Sequence, residues 1–323
     1  MNAGAPETPL DRRAGAHLPV PLGWFAVAHS DEIAAGEVRT LRYFATEFVV
    51  WRGESGELAA TDAYCRHLGA HMGAGKVVGE LLECPFHHWR YTGQGAVAEI
   101  PYSRSIPPQV RRPCIKVWPV AEENGLVYVW HHPKGAAPLW QVEALFPDGE
   151  DWKLHARHEW TVKVHIQEIN ENGVDYPHFV SVHGTKSMPE PQWKIDGIYR
   201  RSVSTAKMQT PRGIVDGTID SRAIGPGQAS VRFTGISDVL LLNSMTPIDR
   251  FTTQARFDFY YPARLEGSAE RVAAAVARDV VGQFDQDIPI WESKRYEPDP
   301  ILCAGDGPIL HYRRQYAQYY VAD

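Results

Sequence analysis

Two short segments each place one cysteine just ahead of one histidine: Cys65-Arg66-His67 and, after sixteen residues, Cys84-Pro85-Phe86-His87. A Cys2His2 zinc site gathers its cysteines in one segment and its histidines in another, because each short loop presents like ligands to one ion. Here each segment offers one thiolate and one imidazole. That mixed order suits two sulfide-bridged irons, one taking both thiolates and the other both imidazoles, so that two facing loops each reach both metals. Neutral imidazoles in place of thiolates remove negative charge and raise the reduction potential, which makes the cluster a one-electron relay. Gly69, Gly73 and Gly75 after the first segment, and Gly93 and Gly95 after the second, let backbone approach the sulfurs tightly.

The flanks narrow this further. Cys65-Arg66-His67-Leu68-Gly69-Ala70 and Cys84-Pro85-Phe86-His87-His88-Trp89 closely resemble the 2Fe-2S cluster loops of Rieske oxygenases and their ferredoxins. Respiratory-chain Rieske proteins carry an extra cysteine in each loop, forming a disulfide; Ala70 and Phe86 stand in those places here, which indicates the oxygenase branch. His88 replaces the glycine common in that branch and is read as an exposed residue that tunes or docks rather than ligates.

Around these loops the chain reads as short strands, at 24–28, 39–44, 48–52, 115–120 and 126–130, with no helical periodicity. Cys114 in a predicted strand and Cys303 in a loop have no paired histidine and read as packing residues. The segment 132–138 is a connection. The chain therefore divides into an N-terminal arm, 1–20, read as loose, a cluster domain, 21–135, and a second domain, 136–323. In the latter, 251–261 alternates as a half-buried antiparallel strand, with Phe251, Ala255, Phe257, Phe259 and Tyr261 inward and Thr252, Gln254, Arg256 and Asp258 outward. Residues 268–283 have helical spacing, with Ser268 as N-cap, Glu270 in the first turn and Val272, Val276 and Val280 on one stripe. A sheet packed under a long helix follows. Residues 187–198 and 222–228 read as loops.

A second metal site is written across two segments. Asp175-x-x-His178 is followed five residues on by His183, with Gly184 as a helix terminator and Pro177 tolerable in a first turn. Residues five apart lie well round an ideal helix, so His178 and His183 can share a metal only if the helix distorts or ends between them. Two imidazoles and one carboxylate on one face of Fe(II) leave positions open for dioxygen. Asp285 and Asp287 are the candidates for the carboxylate. Helical periodicity prefers Asp287, which shares a stripe with Val276, Val280, Phe284 and Trp291, whereas Asp285 aligns with Arg278, Val281 and Gly282. Pro289 cannot donate to the Asp285 carbonyl, so the helix should kink or stop there. Asn172 is either a cap or a support for the site.

The two motifs together resemble Rieske oxygenases over nearly the whole chain. Tyr64-Cys65-Arg66-His67, Pro101-Tyr102 before Ile106-Pro107-Pro108, Gln286-Asp287-Ile288-x-Ile290-Trp291-Glu292, Pro300-Ile301-Leu302-Cys303 and Asp306-Gly307-Pro308 look like 3-ketosteroid 9-alpha-hydroxylase oxygenases and cholesterol 7-desaturases. The resemblance implies an α+β chain: an all-β Rieske domain, then a helix-grip domain in which an antiparallel sheet curves round a long C-terminal helix. It implies a 2Fe-2S cluster on Cys65, His67, Cys84 and His87 and a mononuclear iron on His178, His183 and Asp287. It also implies a homotrimer in which Asp175 links His87 of one subunit to His178 of the next, an i, i+3 carboxylate being able to reach the second ring nitrogen of His178. No flavin or nicotinamide domain is evident, so a separate flavin or iron-sulfur reductase, with or without a ferredoxin, must supply electrons for dioxygen. The expected reaction hydroxylates or desaturates a bulky apolar substrate, a steroid first. Alternatives are an aromatic-acid monooxygenase or O-demethylase, a ring-dihydroxylating alpha subunit, or an electron carrier without chemistry of its own; nearly two hundred residues beyond the cluster domain argue against the last.

Bulk properties exclude other classes. A net charge of −6 with no Lys/Arg-rich run does not suit nucleic acid. No apolar stretch approaches the roughly 20 residues of a membrane-spanning helix, and the first twenty residues lack the apolar core of a secretory signal. Four cysteines, Cys65, Cys84, Cys114 and Cys303, are too few for a disulfide scaffold in 323 residues and fit a reducing cytoplasm.

Overall fold

The computed structural model describes residues 18–185, 191–210 and 213–321. They form two units, Gly23–Ala144 and Leu145–Asp323, the second taking in the described residues before Gly23.

The first unit is built of short antiparallel strands in three sheets. β1 (Gly23–His29), β10 (Leu126–His131) and β9 (Val120–Glu123) make one, and β2 (Val38–Tyr43), β3 (Thr46–Arg52) and β4 (Leu58–Asp62) a second. The third, β5 (Lys76–Val78), β6 (Leu81–Glu83), β7 (Arg90–Tyr91) and β8 (Val97–Glu99), consists of strands too short to leave a periodic signature, yet it carries the two cysteine-histidine loops. The strand expected at 115–120 is displaced. Pro119 has no N–H to donate, and β9 starts only after it. Ahead of it the chain is tied sideways to β4, Asp62 N donating to Lys116 O (3.0 Å) and Trp118 N to Ala60 O (2.9 Å). Cys114 therefore lies in irregular chain, its thiol 3.4 Å from Gly95 O, and Cys303 is exposed rather than packed.

The second unit is a seven-stranded antiparallel sheet in the order β11 (Trp152–Val162), β17 (Thr252–Pro262), β16 (Val239–Asp249), β15 (Gln228–Thr234), β14 (Gly213–Ile224), β13 (Tyr199–Thr210), β12 (Gln192–Asp196). Part of the expected loop 187–198 is thus strand β12; its residues 187–190 lie outside the described residues, as do 1–17 of the expected arm. The arm's last residues are not loose: His165 Nε2 donates to Pro19 O (3.1 Å), and just past the arm Leu22 N donates to Tyr319 O (2.8 Å). β17 departs from simple alternation, because Arg256 and Asp258 on its supposedly wet face are buried as well. Arg256 reaches Glu159 (3.0 Å), and Arg157 lies 4.0 Å from Asp258.

Helices α1 (Ile166–Glu171) and α2 (Pro177–Ser181) follow β11, α3 (Ser268–Ser293) lies against the sheet, and α4 (Ile309–Tyr316) closes the chain. Gly267, at φ +59°, caps α3, so Ser268 is the first helical residue rather than the cap. Phe284 of α3 packs on Trp160 of β11 (4.7 Å between ring centroids) and Phe257 of β17 (4.8 Å). α3 runs ten residues beyond the expected 283 and passes through Pro289 without stopping. A proline removes one ladder bond; the ladder resumes, with Lys294 N donating to Ile290 O (2.9 Å).

Candidate active site

The two cluster loops have one backbone design. Cys65 N donates to Ala70 O (2.9 Å) and Gly69 N to Cys65 O (3.0 Å), while Cys84 N donates to Trp89 O (2.8 Å) and His88 N to Cys84 O (3.1 Å). The residue four beyond each cysteine must turn left-handed: Gly69 has φ +74° and His88 φ +59°. Such a backbone costs a non-glycine residue roughly 1–2 kcal/mol, offset here by the His88 ring, 2.7 Å from the buried Glu83 carboxylate. Arg90 and Lys76 join the same carboxylate (2.7 and 3.3 Å). Burial pushes Glu83 up, but these hydrogen bonds win and hold it at about 2. The glycines serve strand packing more than sulfur: a Cβ on Gly75 would lie 2.1 Å from Glu83 O.

Cys65 and Cys84 are buried in the hydrophobic core of the first unit. Burial pushes the Cys84 thiol up while the N–H groups of Phe86 and His87 pull it down. The Tyr91 hydroxyl accepts the N–H of Arg66 (3.1 Å) and lies 3.1 Å from Cys65 Sγ. His67 stacks on Trp89 (4.5 Å, 7°) and its ring lies 4.8 Å from that of His87. His67 Nδ1 is buried without a hydrogen-bond partner among the described residues, an orphan that a metal would satisfy. Two thiols and two imidazoles presented by facing loops fit a 2Fe-2S cluster.

The second site sits where the helical run beyond β11 breaks. α1 ends in a 3-10 turn over Asn172–Val174, Asp175 is extended (φ −88°, ψ 90°), and α2 begins with Pro177 at its first position. Past Ser181 both Val182 N (2.7 Å) and His183 N (3.4 Å) point to His178 O, and Gly184 turns at φ +66°. This broken end lets residues five apart face one point. Ligand atoms of His178, His183 and Asp287 all lie within 4.8 Å of one another. His178 Nδ1 donates to Asp175 O, and His183 Nδ1 donates to Gln286 Oε1 (2.8 Å). With both protons fixed on Nδ1, both Nε2 lone pairs face inward, as a metal requires. Asn172 Nδ2 donates to Asp287 Oδ2 (2.9 Å) and lies 3.1 Å from His178 Nε2. Burial pushes Asp287 up, against the pull of His183 and His178, and it pushes His178 down, keeping the ring neutral. A divalent cation would hold the carboxylate ionised.

One expectation changes. The group behind His178 is the Asp175 carbonyl rather than its carboxylate, because the extended Asp175 aims its C=O along the next turn. Among the described residues that carboxylate has no side-chain hydrogen bond, and burial raises its pKa. Asp285 faces away and accepts from Trp160 Nε1 (2.8 Å). Sequence reading gave no role to Tyr91 or Gln286, since neither register nor helix end is written in a motif.

Beside this site opens a cavity of about 1160 Å³ between sheet and α3, bordered at the site by Asn172, Phe284 and Trp291 and otherwise mostly apolar. A Rieske [2Fe-2S] domain family model matches residues 23–119, and the 3-ketosteroid 9alpha-hydroxylase C-terminal domain matches 129–320. A probable 3-ketosteroid-9-alpha-monooxygenase oxygenase component of Rhodococcus rhodochrous is 33% identical over 93% of this chain and 79% of its own length. Cholesterol 7-desaturase of Bombyx mori is 32% identical over 96% and 72%. The chain belongs to this family of Rieske oxygenases.

Solved structures agree on the oxygenase fold. Pseudomonas putida CBB5 NdmA with caffeine has a TM-score of 0.72 at 20% identity, covering 90% of this chain and 88% of that one. Apo dicamba monooxygenase has 0.66 at 16%, covering 92% and 96%. The oxygenase uses a Rieske 2Fe-2S cluster and a mononuclear iron, and it is the oxygen-activating component of a system with a separate reductase. Among the described residues no helix is long and apolar enough to cross a membrane.

Proposed function

We propose that Cys65 and Cys84 hold one iron of the cluster and His67 and His87 the other, that His178, His183 and Asp287 hold the ferrous ion, and that the oxygenase hydroxylates or desaturates a steroid or sterol. The observation that carries the reading is the convergence of two Nε2 atoms and a carboxylate at the edge of a cavity of about 1160 Å³, at or above the ~300–1,000 Å³ usual for small-molecule sites. When bound, the two groups supply single electrons and the activation of dioxygen.

The chain's own residues do the rest. Asp175 O and Gln286 fix the ring tautomers, Asn172 orients the Asp287 carboxylate, and Phe284 and Trp291 exclude water from the reacting end. The steroid class is supported by the two named relatives and by an apolar cavity too large for a single-ring acid. The Asp175 carboxylate, free of side-chain hydrogen bonds among the described residues, connects to His87 of the partner subunit in a head-to-tail trimer. Exposed Leu68, Phe86 and Tyr102 near the cluster suit docking of a reductase or ferredoxin. Two iron-binding thiols that must stay reduced support a cytoplasmic setting.

Product analysis by mass spectrometry tests this, with a surrogate reductase, NADH and two substrate panels, steroids and methoxybenzoates. A steroid product gaining one oxygen or losing two hydrogens is expected. Demethylated benzoates with untouched steroids would move the reading to the aromatic-acid enzymes.

A further inference from the structure

The cavity contains one buried charge that no carboxylate matches among the described residues. Arg200, on β13, is 9% exposed and lines the cavity, yet among the described residues no carboxylate pairs with it, and its Nε is buried without a partner. Among the described residues its charge meets tyrosines instead: it lies over the Tyr312 ring, 5.0 Å from the guanidinium carbon, with Tyr316 and Tyr319 nearby. Neighbouring arginines are matched: Arg201 to Asp220 (2.7 Å), Arg232 to Asp238 (2.7 Å), Arg313 to Glu171 (2.7 Å). An unpaired buried guanidinium is costly and is retained where a ligand supplies the counter-charge.

Strand register shows what lies around it. One cross-strand row on the cavity face reads Arg200, Ala223, Ala229, Asn243, Phe257, and the next row sets Ser202 opposite Ser221. Phe257 touches Phe284, one turn from Asp287. The two alanines leave a flat apolar strip between the charged end and the aromatic end. The charged residues lining the cavity are Arg200, Lys207, Arg271 and Asp279. Lys207 is taken by Asp216, which leaves Arg200 and Arg271 against Asp279, so the lining keeps a cationic excess, which favours entry of an anion.

We propose that Arg200 binds a carboxylate of the substrate, with Ser202 and Ser221 beside it, so that the substrate class is a steroid or sterol acid and not the neutral sterol. A planar guanidinium matches a carboxylate with two parallel hydrogen bonds, and the apolar strip takes the ring system. The inference rests on the steroid reading of the cavity.

The test uses the holoenzyme and a steroid carboxylic acid paired with its methyl ester, with binding measured by anaerobic equilibrium dialysis and turnover as separate kcat and KM. The wild type is expected to bind the acid at least about 10-fold tighter than the ester. Arg200→Gln should weaken the acid by about 10- to 100-fold while the ester changes by less than about 3-fold, and Arg200→Lys should fall between. Equal binding of acid and ester by the wild type would overturn the proposal without any variant. So would an Arg200→Gln variant that weakens both alike, which marks a packing role. Oxidation of the ester in preference to the acid removes the acid assignment and leaves the steroid reading intact; absence of binding by either compound removes both.

Discussion

His183 donates Nδ1 to Gln286 and His178 donates Nδ1 to a main-chain carbonyl, so the two rings depend on different kinds of support. Replacing Gln286 with Leu should weaken iron binding by about 10- to 100-fold, read from iron content after dialysis against a chelator. Replacing Asp175 with Asn leaves the carbonyl in place; both metals should remain, while NADH-coupled turnover falls by at least about 100-fold. Unchanged product formation would reject the electron-path role of the carboxylate. The choice between the two aspartates of α3 is tested the same way. Asp287→Ala should lower iron from about three to about two per chain, with the cluster absorption intact. Asp285→Ala should keep all the iron and cost about 1 kcal/mol through the lost Trp160 hydrogen bond, measured by urea unfolding.

At the scale of elements, His165 ties the start of α1 in place: its Nδ1 accepts the N–H of Gln167 (3.1 Å) while Nε2 donates to Pro19 O. Both bonds need the neutral ring, and burial lowers its pKa to about 4, against the pull of the Pro19 carbonyl. Unfolded, the same ring protonates near 6.5, so between 6.5 and 4 the unfolded chain binds the extra proton. Stability from this group is complete above 6.5 and is lost as pH falls toward about 4, by about 3 kcal/mol in all. His165→Asn, which keeps one capping oxygen and one donor, should remove that pH dependence; parallel urea titrations of both proteins at pH 7 and pH 4.5 decide it. Long elements were legible in sequence: α3 by its four-residue repeat, β17 by its alternation. Two- and three-residue strands such as β5 and β6 were not, because their stability comes from register with neighbours and not from a local apolar pattern.

For the whole molecule, the head-to-tail electron transfer proposed above makes a quantitative claim about mixtures. Asp287→Ala subunits keep the cluster and lack the iron; Cys84→Ala subunits keep the iron and lack the cluster. Mixed equally and reassembled as trimers, they should recover roughly a quarter of wild-type turnover, the chance that a cluster faces an iron across a subunit boundary. Transfer within one chain would give none. The sequence by itself determined the chemistry: the cysteine-histidine loops and the Asp-x-x-His-x-x-x-x-His run specify ligand types over a few residues, and ligand type selects the metal. Only the tertiary structure decided which oxygen stands behind His178, that Asp287 and not Asp285 turns inward, and that Arg200 has no carboxylate partner among the described residues. Those outcomes depend on backbone angles at one residue and on the register of strands far apart in the chain, which short-range patterns do not encode.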